Sequence, residues 1–237
     1  SARNLKAHYY AEITYIDDCI GRILDELESK GELENTVICF TADHGDHLGD
    51  HGAWQKESFF EQSTRVPFIV CAPDYLKQDT RTDDLVSLTD LYSIVTKAAG
   101  CYLSKEGVDI LGGEKHVLIF GTYGIPGTPR FKTMIRKGQY KYIYMSNGGR
   151  EQLFDVENDP KEINNLATDE KYADLMDELR TDLYNQCNRP GLLGGIDGDK
   201  MCAFPYEERE LKRIHQFEFS KNITDFDVSV DNFFVSP

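Results

Sequence analysis

A chain of 237 residues with 40% hydrophobic and 28% charged residues has room for one large domain, or for a core domain with a small second one, and has the balance of a globular protein. Its formal net charge of -15 argues against a nucleic-acid partner, because an acidic surface repels phosphate backbones. No apolar run is long enough to cross a bilayer, so no membrane partner is expected, and Ser1-Ala2-Arg3-Asn4 lacks the apolar stretch of a signal peptide.

Ile13, Ile16, Ile20, Ile23 and Leu27 recur at alternating spacings of three and four, which predicts a long helix with one buried face. Gly31 stands where a left-handed residue would end it. Residues 36–41 are β-branched and apolar and predict a strand buried on both faces. A helix followed directly by such a strand points to an αβ unit of a mainly parallel sheet. A second strand is expected over residues 66–71, closed by Pro73. Between the two lie an Asp/His-rich loop and the aromatic stretch Glu57-Ser58-Phe59-Phe60-Glu61, read as a short helix. Residues 88–99 predict an amphipathic helix ended by Gly100.

Beyond this point the pattern changes. Residues 116–122, 131–136 and 139–145 read as strands, with a tight hairpin turn at Lys137-Gly138. Leu153-Phe154 adds an edge strand, and residues 172–184 a helix, so a small antiparallel sheet packed on a helix is expected. After Asn188 the sequence is irregular and predicts a tail that wraps on the body or on a neighbour. The expected division is an α/β core over 1–113, a small antiparallel domain over 114–187 and the tail over 188–237.

The six cysteines have the spacing of neither a disulfide framework nor a zinc site. Cys19, Cys39 and Cys71 sit in apolar contexts and read as buried free thiols. That leans towards a reducing, cytoplasmic compartment, with export left open. Cys187 and Cys202 flank a glycine-rich loop, and a pairing between them is open. Asn222-Ile223-Thr224 is a glycosylation sequon, relevant only in a secreted eukaryotic protein.

The chemistry concentrates in Asp43-His44-Gly45-Asp46-His47-Leu48-Gly49-Asp50-His51, with three Asp and three His in nine residues. The loop starts where the first strand ends, and ligands of open α/β sheets bind outside the carboxyl ends of strands. Carboxylate oxygens suit hard divalent cations, and a neutral imidazole can complete the shell. The bland reading is a turn-rich loop whose Asp residues cap backbone amides. The spacing is not that of an EF-hand, nor of a helical zinc-protease motif. Lys56 follows and could neutralise an anionic oxygen. Arg65 reads as a structural ion-pair partner of Glu57 or Glu61, and His8 and His116 as structural. His215 reads as a solvated residue of the tail.

Thr41-Ala42-Asp43-His44-Gly45-Asp46, Leu48-Gly49-Asp50-His51-Gly52, Trp54-Gln55-Lys56 and Arg65-Val66-Pro67 together resemble the second signature block of type I sulfatases. Ile135-Arg136-Lys137-Gly138-Gln139-Tyr140-Lys141-Tyr142, Leu153-Phe154-Asp155-Val156-Glu157-Asn158-Asp159-Pro160 and Asn164-Asn165-Leu166-Ala167 resemble that family's C-terminal subdomain. The resemblance runs in order from residue 9 to residue 187. It implies an α/β fold, an alkaline-phosphatase-like α/β/α sandwich with a small C-terminal antiparallel sheet-plus-helix subdomain. It implies a sulfuric ester hydrolase with a formylglycine nucleophile made from Cys or Ser, acting on a sulfate-ester small molecule or sulfated carbohydrate. By position, Asp43 and His44 match two ligands of a divalent metal, calcium first, with magnesium or manganese as alternatives. Lys56 matches the catalytic lysine that contacts the sulfate, and His51 is placed on the substrate side.

The same comparison exposes what is missing. The family's N-terminal Asp pair and its Cys/Ser-x-Pro/Ala-x-Arg nucleophile motif have no match. Cys71-Ala72-Pro73 begins like the latter, but Asp74-Tyr75 follows. The expectation is therefore part of a longer enzyme, inactive alone, with formylglycine upstream and no tightly held calcium, since calcium takes about six to eight oxygens. Apolar surface left uncovered would drive homo-oligomer formation, through edge-strand pairing. Two alternatives stand beside this reading: a phosphonate or phosphate ester hydrolase of the same superfamily, and a non-catalytic module that keeps the fold.

Overall fold

The computed structural model describes residues 2–77, 79–101 and 107–208, so His215 and the sequon Asn222-Ile223-Thr224 lie outside the described residues. Helix α1 (Ala2–Ser29) opens the chain. Gly31, at φ 69°, ends it, and the Glu32 amide returns to the Leu27 carbonyl at 2.9 Å. The predicted helix is present, but its apolar stripe is uncovered among the described residues. No residue of α1 is buried, and Ile13, Ile16 and Ile23 are 49%, 52% and 60% exposed. No described helix is long and apolar enough to cross a membrane.

Strand β1 (Ile38–Thr41) pairs with β2 (Phe68–Cys71), with Ile38 opposite Cys71 and Thr41 opposite Phe68. The pair is antiparallel, a correction to the parallel expectation for these two strands. The reason lies in the connection: the Gly45 amide donates to the Ser63 carbonyl at 2.8 Å, so the chain comes back beside its starting point. Nor is β1 buried on both faces, since Phe40 is 39% exposed. The short helix α2 (Glu61–Thr64) begins where the predicted one was to end, and residues 57–60 form its extended approach. Helix α3 (Asp90–Ala98) packs Ile94 with Ala72, Leu111, Val70 and Phe68 into a small core under this pair. Asp90 is fully buried and accepts from the Ser87 amide (2.7 Å), the Val108 amide (2.8 Å) and His116 Nε2 (2.8 Å). His116 is thus structural, though with a polar partner that sequence proximity did not reveal.

The second sheet has the order β3 (Ile119–Tyr123), β4 (Lys132–Lys137), β5 (Tyr140–Met145), β6 (Arg150–Asp155), all antiparallel. Alternation divides its residues between two faces. Ile135, Tyr142, Tyr144 and Leu153 meet Met176, Leu179, Leu183 and Cys187 of helix α4 (Ala173–Cys187). Met134, Ile143, Met145 and Phe154 face the other way and receive Phe60, with Phe59 beside it. That second face anchors the loop that carries the Asp/His cluster. After α4 the chain forms a minimal ribbon, β7 (Ile196–Asp197) and β8 (Lys200–Met201). It then docks on the end of β5: the Phe204 amide donates to Ser146, and Asn147 exchanges side-chain bonds with the backbone of Glu207.

The thiols differ from expectation. Cys19 and Cys39 are only partly buried, Cys71 is exposed, and Cys187 and Cys202 are free rather than paired. Burial pushes the Cys187 thiol up to about 11.

In the α4-facing core, Tyr142 donates its hydroxyl to Glu151 Oε1 at 2.5 Å, and Arg180 clamps the same carboxylate with two 2.7 Å bonds. Tyr142→Phe keeps the packing and removes one charge-assisted bond. Its expected cost is about 1.5–3 kcal/mol, read as a lower urea midpoint with unchanged slope.

Candidate functional site

Beyond β1 the chain winds tightly. Leu48, Gly49, His51, Gly52 and Gln55 all have positive φ, from 49° to 94°. For the three non-glycine residues this conformation costs roughly 1–2 kcal/mol each, so other contacts must hold it. Asp46 Oδ1 accepts from the amides of Leu48 (2.7 Å) and Gln55 (3.2 Å), and the His47 amide donates to the Gln55 carbonyl (2.9 Å). His47 is 2% exposed, with Nε2 2.6 Å from Ser58 Oγ. His51 stacks on Phe60 with ring centroids 4.1 Å apart and interplanar angle 13°. Burial lowers the pKa of both histidines, and for His47 the neighbouring His51 lowers it further. The shift favours the neutral imidazole in both. Asp46 and His47 build the loop, and His51 packs on its aromatic anchor.

Asp43, His44 and Lys56 come together at the open end. Asp43 is 85% exposed at its side chain and accepts from the His44 amide at 3.0 Å. His44 Nδ1 lies 2.8 Å from the Gly45 carbonyl, which can only accept, so this nitrogen carries the proton. The other nitrogen, Nε2, then presents a lone pair. It lies 2.5 Å from Lys56 Nζ and 3.3 Å from Asp43 Oδ2. A histidine whose second N–H is held by a backbone carbonyl is the arrangement used to orient metal-ligating imidazoles. Asp43 and His44 thus offer one oxygen and one nitrogen donor suited to a divalent cation. Among the described residues, no group of three or more His, Cys, Asp or Glu is placed to hold a metal.

Behind these residues lies a support that the sequence reading did not identify. Ser63 is buried; its hydroxyl donates to the Lys56 carbonyl at 2.5 Å and its own carbonyl accepts from Gly45. Gly45 packs so closely on α2 that a Cβ there would sit 2.0 Å from the Gln62 carbonyl oxygen. Under α2 sits Lys141, 1% exposed, with Nζ 2.5 Å from Glu61, 2.9 Å from Glu162 and 2.8 Å from the Phe59 carbonyl. Glu162 in turn accepts from the Glu61 amide at 2.6 Å. Burial raises the Glu162 carboxyl above its ordinary range, against the lowering pull of Lys141. The carboxylate of Glu61 is taken by Lys141, and Arg65 is left exposed rather than paired with it. One sequence signal did point to Lys141. It occupies the same strand parity as Ile143 and Met145, the face that receives Phe60.

This fold has close counterparts. A protein solved in complex with its substrate D-glucosamine-2-N,6-O-disulfate has a TM-score of 0.67 and 25% identity, over 73% of this chain and 38% of that one. The phosphonate monoester hydrolase of Agrobacterium radiobacter has a TM-score of 0.64 and 26% identity, over 75% of this chain and 40% of its own. The architecture is that of the alkaline-phosphatase-like hydrolases, covering part of their length. The Sulfatase family model matches residues 2–101, and the arylsulfatase of Clostridium perfringens strain 13 is 34% identical over 223 residues, which is 90% of this chain and 46% of that protein. The chain belongs to the sulfatase family. It spans less than half the length of these relatives.

Proposed function

We propose that this chain carries part of the active site of a sulfuric ester hydrolase. In that reading Asp43 and His44 contribute two ligands to a divalent cation, calcium first, and Lys56 contacts the ester anion. His51 is assigned to the substrate side of the loop. The observation that carries the proposal is the arrangement of His44, whose proton is engaged by Gly45 and whose lone pair accepts from the Lys56 ammonium at 2.5 Å, beside Asp43. A cation bound there would supply Lewis-acid polarisation of the ester oxygens. This chain's own contribution is to orient the imidazole, to offer the Asp43 carboxylate, and to hold an ammonium beside the anion. Residues beyond these would complete the metal shell and supply the formylglycine nucleophile, so the chain by itself is proposed to be inactive. The substrate class is a sulfate ester of a small molecule or of a carbohydrate, as the disulfated glucosamine bound by one relative suggests. The apolar stripe of α1 supports association through that face, and the free thiols support a reducing compartment.

The test uses the protein expressed from its complete gene. Lys56→Ala is expected to lower kcat/KM for 4-nitrophenyl sulfate by about 100- to 1,000-fold, the scale of removing one group that stabilises transition-state charge. Asp43→Asn is expected to lower the metal content of the purified protein as well as turnover. Full turnover in Lys56→Ala would rule the assignment out. The similarity to a phosphonate monoester hydrolase keeps a second reading, in which the ester is a phosphonate or phosphate. A panel of matched aryl sulfate, phosphate and phosphonate esters separates the two. Loss of all three activities in the intact protein would favour a non-catalytic module.

A further inference from the structure

Lys56 is exposed, as are its neighbours Gln55 and Glu57, so no burial fixes its backbone. Its carbonyl accepts the Ser63 hydroxyl at 2.5 Å and the Ser58 amide at 2.7 Å. Ser63 also holds, through its own carbonyl, the amide of Gly45, the residue next to His44. One buried residue therefore joins the two ends of a loop whose reactive groups, His44 and Lys56, stand 12 residues apart in sequence, with its hydroxyl at the Lys56 end and its backbone carbonyl at the Gly45 end. Helix α2, which carries Ser63, has four residues, too few to be stable without outside support. That support comes from the second sheet, through Lys141 on the Phe59 carbonyl and Glu61, and from the loop after β6, through Glu162 on the Glu61 amide.

We infer that Ser63 is a positioning residue for Lys56, and that the pair formed by Lys141 of β5 and Glu162 of the loop after β6 sets where Ser63 stands. The inference rests on the assignment of Lys56 to the ester anion. The sheet then serves the chemistry from behind, by fixing the distance between the imidazole and the ammonium. Removing the Ser63 hydroxyl leaves the Lys56 carbonyl with the Ser58 amide alone and touches no group that meets substrate.

The experiment is a double-mutant cycle in the protein expressed from its complete gene, with Ser63→Ala, Lys56→Ala and both together. It reads kcat/KM for 4-nitrophenyl sulfate and the inhibition constant of inorganic sulfate. Ser63→Ala is expected to lower kcat/KM about 10-fold and to weaken sulfate inhibition, since small misplacements of a reacting group carry large rate penalties. In the Lys56→Ala background the same change is expected to have less than about a twofold effect, because its target is gone. A merely structural serine would give equal losses in both backgrounds, and that result overturns the inference while leaving the Lys56 assignment in place. So does a folded Ser63→Ala protein with unchanged kinetics. If Lys56→Ala leaves both turnover and sulfate inhibition unchanged, the assignment fails and the inference falls with it. Should Ser63→Ala fail to fold, Ser63→Cys takes its place in the cycle, keeping the shape with a much weaker donor.

Discussion

Lys141→Met is expected to lower stability at neutral pH by about 3–5 kcal/mol, the scale of breaking a buried pair by removing one partner. Methionine refills most of the volume, so the loss is electrostatic. Glu162 would remain buried as a carboxylate without its cation, and the Phe59 carbonyl would lose its donor. The effect carries a pH signature. Burial already raises the Glu162 carboxyl above its ordinary value of 4.5. A carboxyl raised in the folded state favours folding below its unfolded pKa, and that contribution is lost as pH rises through the folded value. Without Lys141 the folded value moves further up. The deficit of Lys141→Met relative to the native protein should therefore be smallest below pH 4.5, where Glu162 is protonated in both, and should grow as pH rises. Urea midpoints at pH 4 and pH 8 measure this, and a deficit equal at both would mean that Lys141 acts by packing alone.

Gly45→Ala is expected to lower kcat/KM for an aryl sulfate by about 100-fold or more, on the assignment of Asp43, His44 and Lys56 made above. Its Cβ would lie 2.0 Å from the Gln62 carbonyl oxygen and 3.1 Å from the carbonyl carbon, both backbone atoms that cannot swing aside. Relief requires the loop to withdraw from α2 by about 1 Å, a displacement that in an active site costs on the order of 100-fold. It would also stretch the bond from the Gly45 amide to Ser63. The clash lies one residue from His44, so turnover should suffer more than the melting temperature. Normal turnover in Gly45→Ala would show that the placement of Asp43 and His44 does not depend on α2.

The reach of the sequence differed from element to element. The strands of the second sheet were legible because alternation and the Lys137-Gly138 turn are local signals, and the observed strands begin or end within three residues of the expected positions. Helix α1 was legible for the same reason, while the fate of its stripe was not. Apolar periodicity states that a face is built for burial, and only the neighbouring elements say whether it is covered. The pairing of β1 with β2 was misread because strand direction is set by the connection between them. Here the connection is closed by Gly45 and Ser63, 18 residues apart, rather than by a crossover helix.

The Asp43–His44–Lys56 constellation stood out in the sequence because its members are close along the chain and chemically conspicuous. Composition, charge and local periodicity were enough for the α/β character, the antiparallel second sheet and the loop after β1. The tautomer of His44 follows from a contact with its neighbour Gly45, whereas the burial of His47 and the chain of contacts from Lys141 through Glu61 to Ser63 were decided by tertiary structure alone. Each depends on a partner brought from elsewhere in the fold: the Phe59 carbonyl and Glu162 reach Lys141 across 82 and 21 residues of chain. A lysine in a strand is ordinarily a solvated surface residue. Here it is a buried ion, because two carboxylates and a carbonyl converge on it only once the sheet has closed over the loop.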